Sequence, residues 1–350
     1  MCSVDSLTLA YPKQAPGRLP LFDELRGLAI LLVVAYHTCG VTGYPNSMHG
    51  ELGVDIFVLL SGAALAFSHR PNEGAGHFLW RRLARLLPAY WIALTLFWQG
   101  GVHVLGRVHQ PIDVVSHYLC IHPWWGDQFL LSINDSFWFL GLIVLLYVVY
   151  AGLRRFMDRL DIVVGGGLVF SFGLVWWLYF RVGQPALFVH VGLRPPIFFA
   201  GIILGVLLRD GVARLPLTAW LAVGVLLTFY GMFFYGILIG YTIAGFSVFA
   251  AYFIARANAV AAGRRWLCRG VAWLGVYSYE IFLLHQPLIR EYNNYAWQRF
   301  KGAGHPTEIE LAVGGAVALV VAVGLSFLLH HLGAWIGRVL SPRSMSPKPA

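Results

Sequence analysis

The chain has 350 residues, of which 58% are hydrophobic and only 12% charged, and its mean hydropathy is +0.68. A soluble globular domain carries roughly 25% charged residues. The composition therefore excludes an ordinary soluble enzyme, and repeated apolar runs of about 20 residues indicate a polytopic membrane protein.

The apolar runs predict an all-α fold, with about ten transmembrane helices in one bundle. The apolar run 215–255 is about twice as long as one crossing requires, so we divide it near 231–236. The predicted spans lie near 25–43, 52–69, 83–100, 137–153, 162–180, 195–209, 215–232, 235–255, 271–290 and 309–337. We expect a cytoplasmic tail over 1–20, which lacks the apolar core of a cleavable signal, a membrane domain over 21–338 and a second cytoplasmic tail over 339–350.

The basic residues predict the orientation. When the N-terminus is placed in the cytoplasm, most of the 25 Lys and Arg residues fall in cytoplasmic segments. This distribution follows the positive-inside rule and predicts a membrane protein with both termini in the cytoplasm. The net charge of +9 then faces the lipid headgroups of the inner leaflet, so we expect no nucleic-acid partner.

The first span, FDELRGLAILLVVAYHTCG, contains Arg26 and His37. His37 lies eleven positions after Arg26, which places both on one helix face about three turns apart. Asp55, in GVDIFVLLSG, begins the second span and is predicted to lie at a similar depth to His37. A carboxylate beside an imidazole fixes its tautomer and raises its basicity, so this pair predicts a general base for a hydroxyl group. The alternatives are a histidine that only packs against a neighbouring helix and a carboxylate that reaches the interface or caps its helix.

The third span opens with FLWRRLARLLPAYW, in which Arg81, Arg82 and Arg85 share one face at the cytoplasmic entry. Arginine binds phosphate in a bidentate manner, and a helix start favours anions. The pattern predicts a pocket for an anionic, phosphate-bearing ligand. The alternative is a set of ordinary positive-inside arginines.

Further titratable residues lie later in the chain. Glu280 and His285 occur in YSYEIFLLHQPLI, and Arg194 precedes two prolines. Because charged or titratable residues in a span are costly, we expect these three to line a cavity or to pair within the bundle. Tyr279, in the same stretch as Glu280, is expected to line the cavity as well.

The longest connection, 101–136, is predicted on the outer side and is rich in polar groups. These are His103, His109, Asp113, His117, His122 and Asp127. Trp124, Trp125 and Trp297 could stack on a sugar or form an interfacial aromatic belt. The four cysteines show neither metal-ligand spacing nor a disulfide framework, and we expect no metal site.

Four motifs in order resemble the acyltransferase-3 family of integral membrane acyltransferases, the type that O-acetylates bacterial surface sugars. The resemblance covers roughly 20–335 and rests on LRGLAILLVVAYH, GVDIFVLLSG, the R-x-x-R of Arg82 and Arg85 followed by P-x-Y, and SYEIFLLH, where Phe282 replaces the usual Tyr. One position departs from the pattern. Ile143 stands where many members carry a Glu in span four, so the substrate class of Glu-bearing members transfers less directly.

The resemblance implies transfer of an acyl group, usually acetyl, from cytoplasmic acyl-CoA to a hydroxyl of a carbohydrate or lipid-linked sugar at the outer face. Acyl-CoA is then a co-substrate, and no permanently bound cofactor is expected. His37 would be the catalytic histidine, Arg82 and Arg85 would hold the phosphates of the coenzyme, and Arg26 would help the donor to enter or orient the first span. Direct transfer and a relay through acyl-His37 both stay open.

The tetrahedral intermediate of such a reaction also needs hydrogen-bond donors. The candidates are Ser61, Tyr90, Tyr279 and His285, of which Ser61 and Tyr90 are also predicted to contact the coenzyme.

A proton-coupled secondary transporter is the competing hypothesis. In it, His37, Asp55, Glu280 and His285 would form a proton relay. Such a protein would move protons without coenzyme A and would not need Arg82 or Arg85.

Overall fold

A computed structural model of the protein describes residues 19–41, 51–124, 127–178, 191–192, 194–209, 256–299 and 308–340. All regular secondary structure within these ranges is helical, which confirms the predicted all-α class. The helices are α1 (Pro20–Val41), α2 (Glu51–Phe67), α3 (Ala75–His103), α4 (Pro111–Tyr118), α5 (Asp127–Leu130), α6 (Trp138–Leu153), α7 (Leu160–Trp177), α8 (Pro195–Arg209), α9 (Arg265–Val276), α10 (Ser278–Arg299) and α11 (Glu308–Leu340).

Each predicted span within the described ranges overlaps a helix, and the spans at 215–232 and 235–255 lie outside them. The predicted span 271–290 differs most, because it consists of α9 and α10, which meet at a bend of 74°. Within the part of the chain that the structure describes, two helical segments are long and apolar enough to cross a membrane, Trp138–Phe156 and Val313–Leu340, and a third if the bent pair is one span. The apolar helices fit a membrane protein, and the bundle of ten spans stays a prediction.

Glycines allow α2 and α8 to pack closely. A Cβ added at Gly201 would meet the carbonyl oxygen of Leu59, and one at Gly205 would meet that of Ala63. Gly62 lies in the same way against the backbone of α8. Small residues spaced four apart let helix backbones approach in this manner in membrane proteins. This seam fixes the position of α2, which carries Asp55.

Helix α1 lies against α2, α9 and α10. Its contact with α9 is also glycine-mediated, since Gly27 faces the backbone of Val271 and Gly275 faces the carbonyl of Asp23. The first helix is therefore held at its beginning by α9 and further along by α10. Arg26 and His37 are consequently placed among other helices.

The register of α1 against α2 follows from two contacts. The rings of Phe22 and Phe67 lie 6.2 Å apart, and Gly53 lies against Val33. The two helices are therefore antiparallel, with Asp55 level with the middle of α1. The histidine near the end of α1 lies about two turns further along the helix.

Candidate functional site

Two histidines from distant parts of the chain meet between α1 and α10. The ring centroids of His37 and His285 lie 5.0 Å apart, with the planes tilted by 54°. His37 is half-buried and also contacts the ring of Tyr36, whereas His285 is completely buried. This juxtaposition is the main feature of the candidate active site.

Hydrogen bonding defines the tautomer of His285. Its Nδ1 lies 2.9 Å from the carbonyl oxygen of Phe282 and 3.2 Å from that of Ile281. Because both neighbours only accept hydrogen bonds, we assign the proton of the neutral ring to Nδ1. Nε2 then carries a lone pair, and it is buried without a hydrogen-bond partner among the described residues. A neutral His285 thus presents an acceptor, which is the wrong polarity for the predicted oxyanion donor.

An aromatic cluster packs beside the histidines. The ring of Phe282 lies 5.6 Å from that of His285, 4.9 Å from that of Phe139 and 6.2 Å from that of Phe57. This cluster joins α10 to α2 and α6. It gives His285 an apolar, closely packed surrounding that fixes the plane of its imidazole.

Asp55 forms an ion pair with Arg194, in which Oδ1 and Nε are 3.2 Å apart. The guanidinium carbon of Arg194 lies 4.9 Å from the ring centroid of Trp138. Both charged side chains are largely buried, so the loss of either one would leave an uncompensated charge in the protein interior. The sequence placed Asp55 beside His37, and that direct contact stays a prediction.

The arginines at the start of α3 differ in their roles. Arg81 donates two hydrogen bonds of 2.8 Å to the carboxylate of Glu73. Arg154 also pairs with Glu73 at 3.2 Å and donates to the carbonyl of Arg70 at 2.8 Å. Burial alone would raise the pKa of Glu73, but the hydrogen bonds and charge of Arg81, with the charge of Arg154, lower it below its ordinary value. Arg81 is thus a structural residue that closes the loop between α2 and α3.

Arg82 and Arg85 are not engaged by Glu73. Arg82 donates from Nη2 to the hydroxyl of Ser68 at 3.3 Å, and its Nε is buried without a partner among the described residues. Arg85 is exposed one turn further along α3. It lies within electrostatic range of both Arg82 and Arg26, while Arg26 also pairs with Asp23 at 3.1 Å. The structure therefore brings together the three arginines that the sequence assigned to the donor.

Glu280 is also part of this region. Its Oε1 accepts a hydrogen bond from Nδ1 of His330 on α11 at 2.9 Å, and its Oε2 is buried without a partner within the described residues. Arg85 lies within electrostatic range of Glu280. The sequence analysis missed His330, whose only signal was a histidine pair in an otherwise apolar helix.

The acyltransferase-3 family model, described as an acyltransferase domain, matches residues 21–331. The chain belongs to the acyltransferase-3 family. It is 25% identical to acyltransferase MdmB of Streptomyces mycarofaciens over 89% of this chain and 90% of that protein. It is 26% identical to the putative membrane-bound transacylase BcsY of Komagataeibacter xylinus over 87% of this chain and 79% of that protein. The peptidoglycan O-acetyltransferase OatA of Listeria monocytogenes is 27% identical over 34% of this chain, which is 20% of its own length. No solved structure matches the chain.

Three hydroxyl groups that the sequence assigned to this acyltransferase-3 site contact the main chain. Ser61 donates to the carbonyl of Phe57 at 2.8 Å, Tyr90 to that of His117 at 2.9 Å, and Tyr279 to that of Leu86 at 2.9 Å. These bonds stabilise the helices and the connection after α3. The predicted roles of these hydroxyls in catalysis and coenzyme binding stay predictions.

Polar residues in the connection before α6 form hydrogen bonds with α10. The sequence analysis missed them. Asn134 donates to the carbonyl of Leu283 at 3.2 Å. Asp135 accepts hydrogen bonds from Gln286 at 2.6 Å and from Arg290 at 2.9 Å. The only sequence signal was a polar pair directly before an apolar span, which ordinarily marks a helix start. In this acyltransferase-3 protein the pair fixes the turns of α10 that flank His285.

Proposed function

We propose that this membrane acyltransferase moves an acyl group, usually acetyl, from cytoplasmic acyl-CoA to a hydroxyl of a carbohydrate or lipid-linked sugar at the outer face of the bacterial inner membrane, with both termini in the cytoplasm. The observation that carries the proposal is the contact between the half-buried ring of His37 and the buried ring of His285. His37 lies on the same helix as Arg26, roughly 16 Å further along the axis.

The arginines support binding of the phosphates of the donor. Arg85 lies within electrostatic range of both Arg26, at the start of α1, and Arg82, on α3. The carboxylates described nearby are Asp23, paired with Arg26, and Glu280, within range of Arg85. Like charges so close together repel, and a bound phosphate relieves this repulsion through charge-assisted hydrogen bonds. The long, flexible arm of the coenzyme then carries the thioester along α1 to His37.

The chemistry assigned to His37 is general acid–base catalysis. Its imidazole takes the proton of the acceptor hydroxyl while the oxygen forms a bond to the thioester carbonyl carbon. The carbon–sulfur bond breaks, and the coenzyme leaves as a thiol after it receives the proton from the imidazolium. The products are an ester and free coenzyme A. Because both substrates must reach one ring, we prefer direct transfer to a relay through acyl-His37.

His285 is a positioning residue in this scheme. With its proton on Nδ1, His285 keeps a lone pair on Nε2, which is buried without a partner among the described residues. Because the two rings lie 5.0 Å apart, a small rotation lets this lone pair accept a hydrogen bond from His37. This hydrogen bond keeps the proton of neutral His37 on the nitrogen that faces His285. The other ring nitrogen is then free to act as the base, and the same hydrogen bond stabilises the imidazolium that forms. Asp55 and Arg194 brace the neighbouring helices and keep the pocket in shape.

The acceptor class is inferred from one relative, since OatA is named as a peptidoglycan O-acetyltransferase. Ile143, which is buried in α6, replaces the Glu that many members carry at this position. The particular acceptor is therefore expected to differ from that of Glu-bearing members.

Mass spectrometry of surface glycans and glycolipids tests the function. Cells with the protein should carry an ester-linked acyl group that cells without it lack, and a His37→Ala chain at matched abundance should not restore it. The same ester content in both strains would contradict the proposal.

Proton-coupled transport is tested separately in liposomes. The hydrogen bond between buried Glu280 and half-buried His330 supplies a second titratable pair and is the observation that favours this alternative. Substrate-dependent proton flux that is independent of coenzyme A and unaffected by Arg82→Gln would favour the transporter.

A further inference from the structure

A polar cleft lies in the connection between α3 and α6. Its volume is about 410 Å³, and the residues that line it include Arg107, Gln110, Gln128 and Phe129. Both amide side chains are exposed, and Gln110 precedes α4 without capping it by a side-chain hydrogen bond. The volume falls within the range of about 300–1,000 Å³ that small-molecule sites occupy.

The floor of the cleft is built around one buried carboxylate. Asp113 accepts a hydrogen bond from the hydroxyl of Ser132 at 2.7 Å and lies 3.1 Å from Nδ1 of His109 and 3.2 Å from Nδ1 of His117. Burial alone would raise the pKa of Asp113, but the hydrogen bonds from His117 and Ser132 lower it. These bonds tie α4 to the segment after α5, so the cleft is preformed.

The cleft is connected to the histidine pair by a chain of charged contacts along α10. Arg107 donates to Glu291 at 2.7 Å, and Arg290 lies 3.4 Å from the same carboxylate. Arg290 and Gln286 both donate to Asp135, at 2.9 and 2.6 Å. Gln286 directly follows the buried histidine of the pair, and its Oε1 is buried without a partner among the described residues. Arg107, in the lining of the cleft, therefore contacts α10 at a residue six positions, or about 9 Å along the axis, beyond His285.

The lining suits a neutral, hydroxyl-rich ligand. Amide side chains both donate and accept hydrogen bonds, which is what sugar hydroxyls require. Arg107 is already paired with Glu291, and Asp113 adds a negative charge, so the cleft does not favour an anion. Phe129 offers an apolar surface to the ring of a sugar.

We propose that this cleft is the acceptor subsite, which binds a neutral sugar unit through Gln110, Gln128, Arg107 and Phe129 while another hydroxyl of the same acceptor reaches His37. The proposal rests on the proposed function.

Saturation-transfer NMR on the full-length protein in nanodiscs tests this subsite, with cellotetraose, chitotetraose and maltotetraose as probes. We expect at least one of the three to bind and its affinity to fall about tenfold or more in the double variant Gln110→Ala/Gln128→Ala. Asn72→Ala, which removes an exposed amide at the other end of α3, is the matched control and should bind as the wild type does. Absence of binding for all three probes, or equal binding by the double variant and the control, would overturn the proposal.

Measuring the release of coenzyme A from acetyl-CoA distinguishes a failure of the acceptor subsite from a failure of the proposed function. If the subsite is wrong, His37-dependent release persists while the three sugars fail to bind or bind without regard to the two amides. If the proposed function is wrong, release does not depend on His37 while the amide-dependent sugar binding persists.

Discussion

The rings of His37 and His285 lie 5.0 Å apart although they belong to the first helix and to the tenth. One ring is half-buried and contacts Tyr36, and the other is fully buried and donates from Nδ1 to its own helix. The pair therefore contains an accessible imidazole and a fixed one. This difference is the basis for assigning catalysis to His37 and positioning to His285.

Substitutions of His285 should distinguish the roles of its two ring nitrogens. Glutamine can place its terminal amide near the position of Nε2, whereas asparagine reaches only the position of Nδ1. We expect His285→Asn to lower kcat roughly 10- to 100-fold with little change in the KM for acyl-CoA, and to shift the pH profile of kcat. His285→Gln should retain more activity.

The control for His285 is His331→Gln, which alters an exposed histidine that contacts the ring of Phe327. It should behave as the wild type. If His285→Asn and His285→Gln lose the same activity with an unchanged pH profile, the effect is structural and the positioning role is refuted.

The arginines of α3 should respond differently to neutralisation. Arg82→Gln and Arg85→Gln should each raise the KM for acyl-CoA about 10- to 100-fold, the effect of losing one charge-assisted hydrogen bond of about 1.5–3 kcal/mol. Arg81→Gln should instead lower the melting temperature, because Arg81 holds Glu73. Steady-state kinetics and thermal melting distinguish these outcomes. An equal rise in KM for all three variants would show that the arginines of α3 attract acyl-CoA only through their summed positive charge.

Glu73 should make the stability depend on pH. Its pKa in the folded protein lies below the ordinary value of 4.5, so its contribution is present above that value and is lost as the pH falls through the folded pKa. Glu73→Gln should therefore melt at a lower temperature than the wild type at pH 7, and the difference should shrink between about pH 5 and pH 3. Melting curves of the detergent-solubilised protein measure this. A difference that is constant with pH would contradict the assignment.

Replacement of glycine by alanine should have opposite effects inside and outside the close contact between α2 and α8. Gly201→Ala should destabilise the protein by about 1–3 kcal/mol, because the added methyl meets the carbonyl of Leu59. Gly173→Ala, on α7, meets no atom within 4 Å and should be neutral or stabilising by about 0.5–1 kcal/mol. Denaturation of both variants in the same detergent provides the comparison. Equal stability of the two would show that α2 and α8 can separate without cost.

The sequence predicted the helices well because each apolar run is long and distinct. It missed the bend between α9 and α10 because nothing in the apolar run marks Tyr277 as a break. The pairing of Asp55 with Arg194 could not be read from local spacing, since the partners come from α2 and from the residue before α8. Helix periodicity reports which face a residue occupies but not which helix it faces.

The candidate site was predictable in part. The motifs named His37, Arg82 and Arg85, and the structure brings the arginines together, but only the fold reveals that Arg81 is occupied by Glu73. The proximity of His285 to His37 required the tertiary arrangement of α1 and α10.

The most direct test of acyl transfer is the rate at which the purified protein in nanodiscs releases coenzyme A from acetyl-CoA in the presence of a cell-envelope extract. The account predicts that His37→Gln lowers this rate by about 100-fold or more while His331→Gln leaves it unchanged. Equal rates for the wild type and the His37→Gln variant would contradict it.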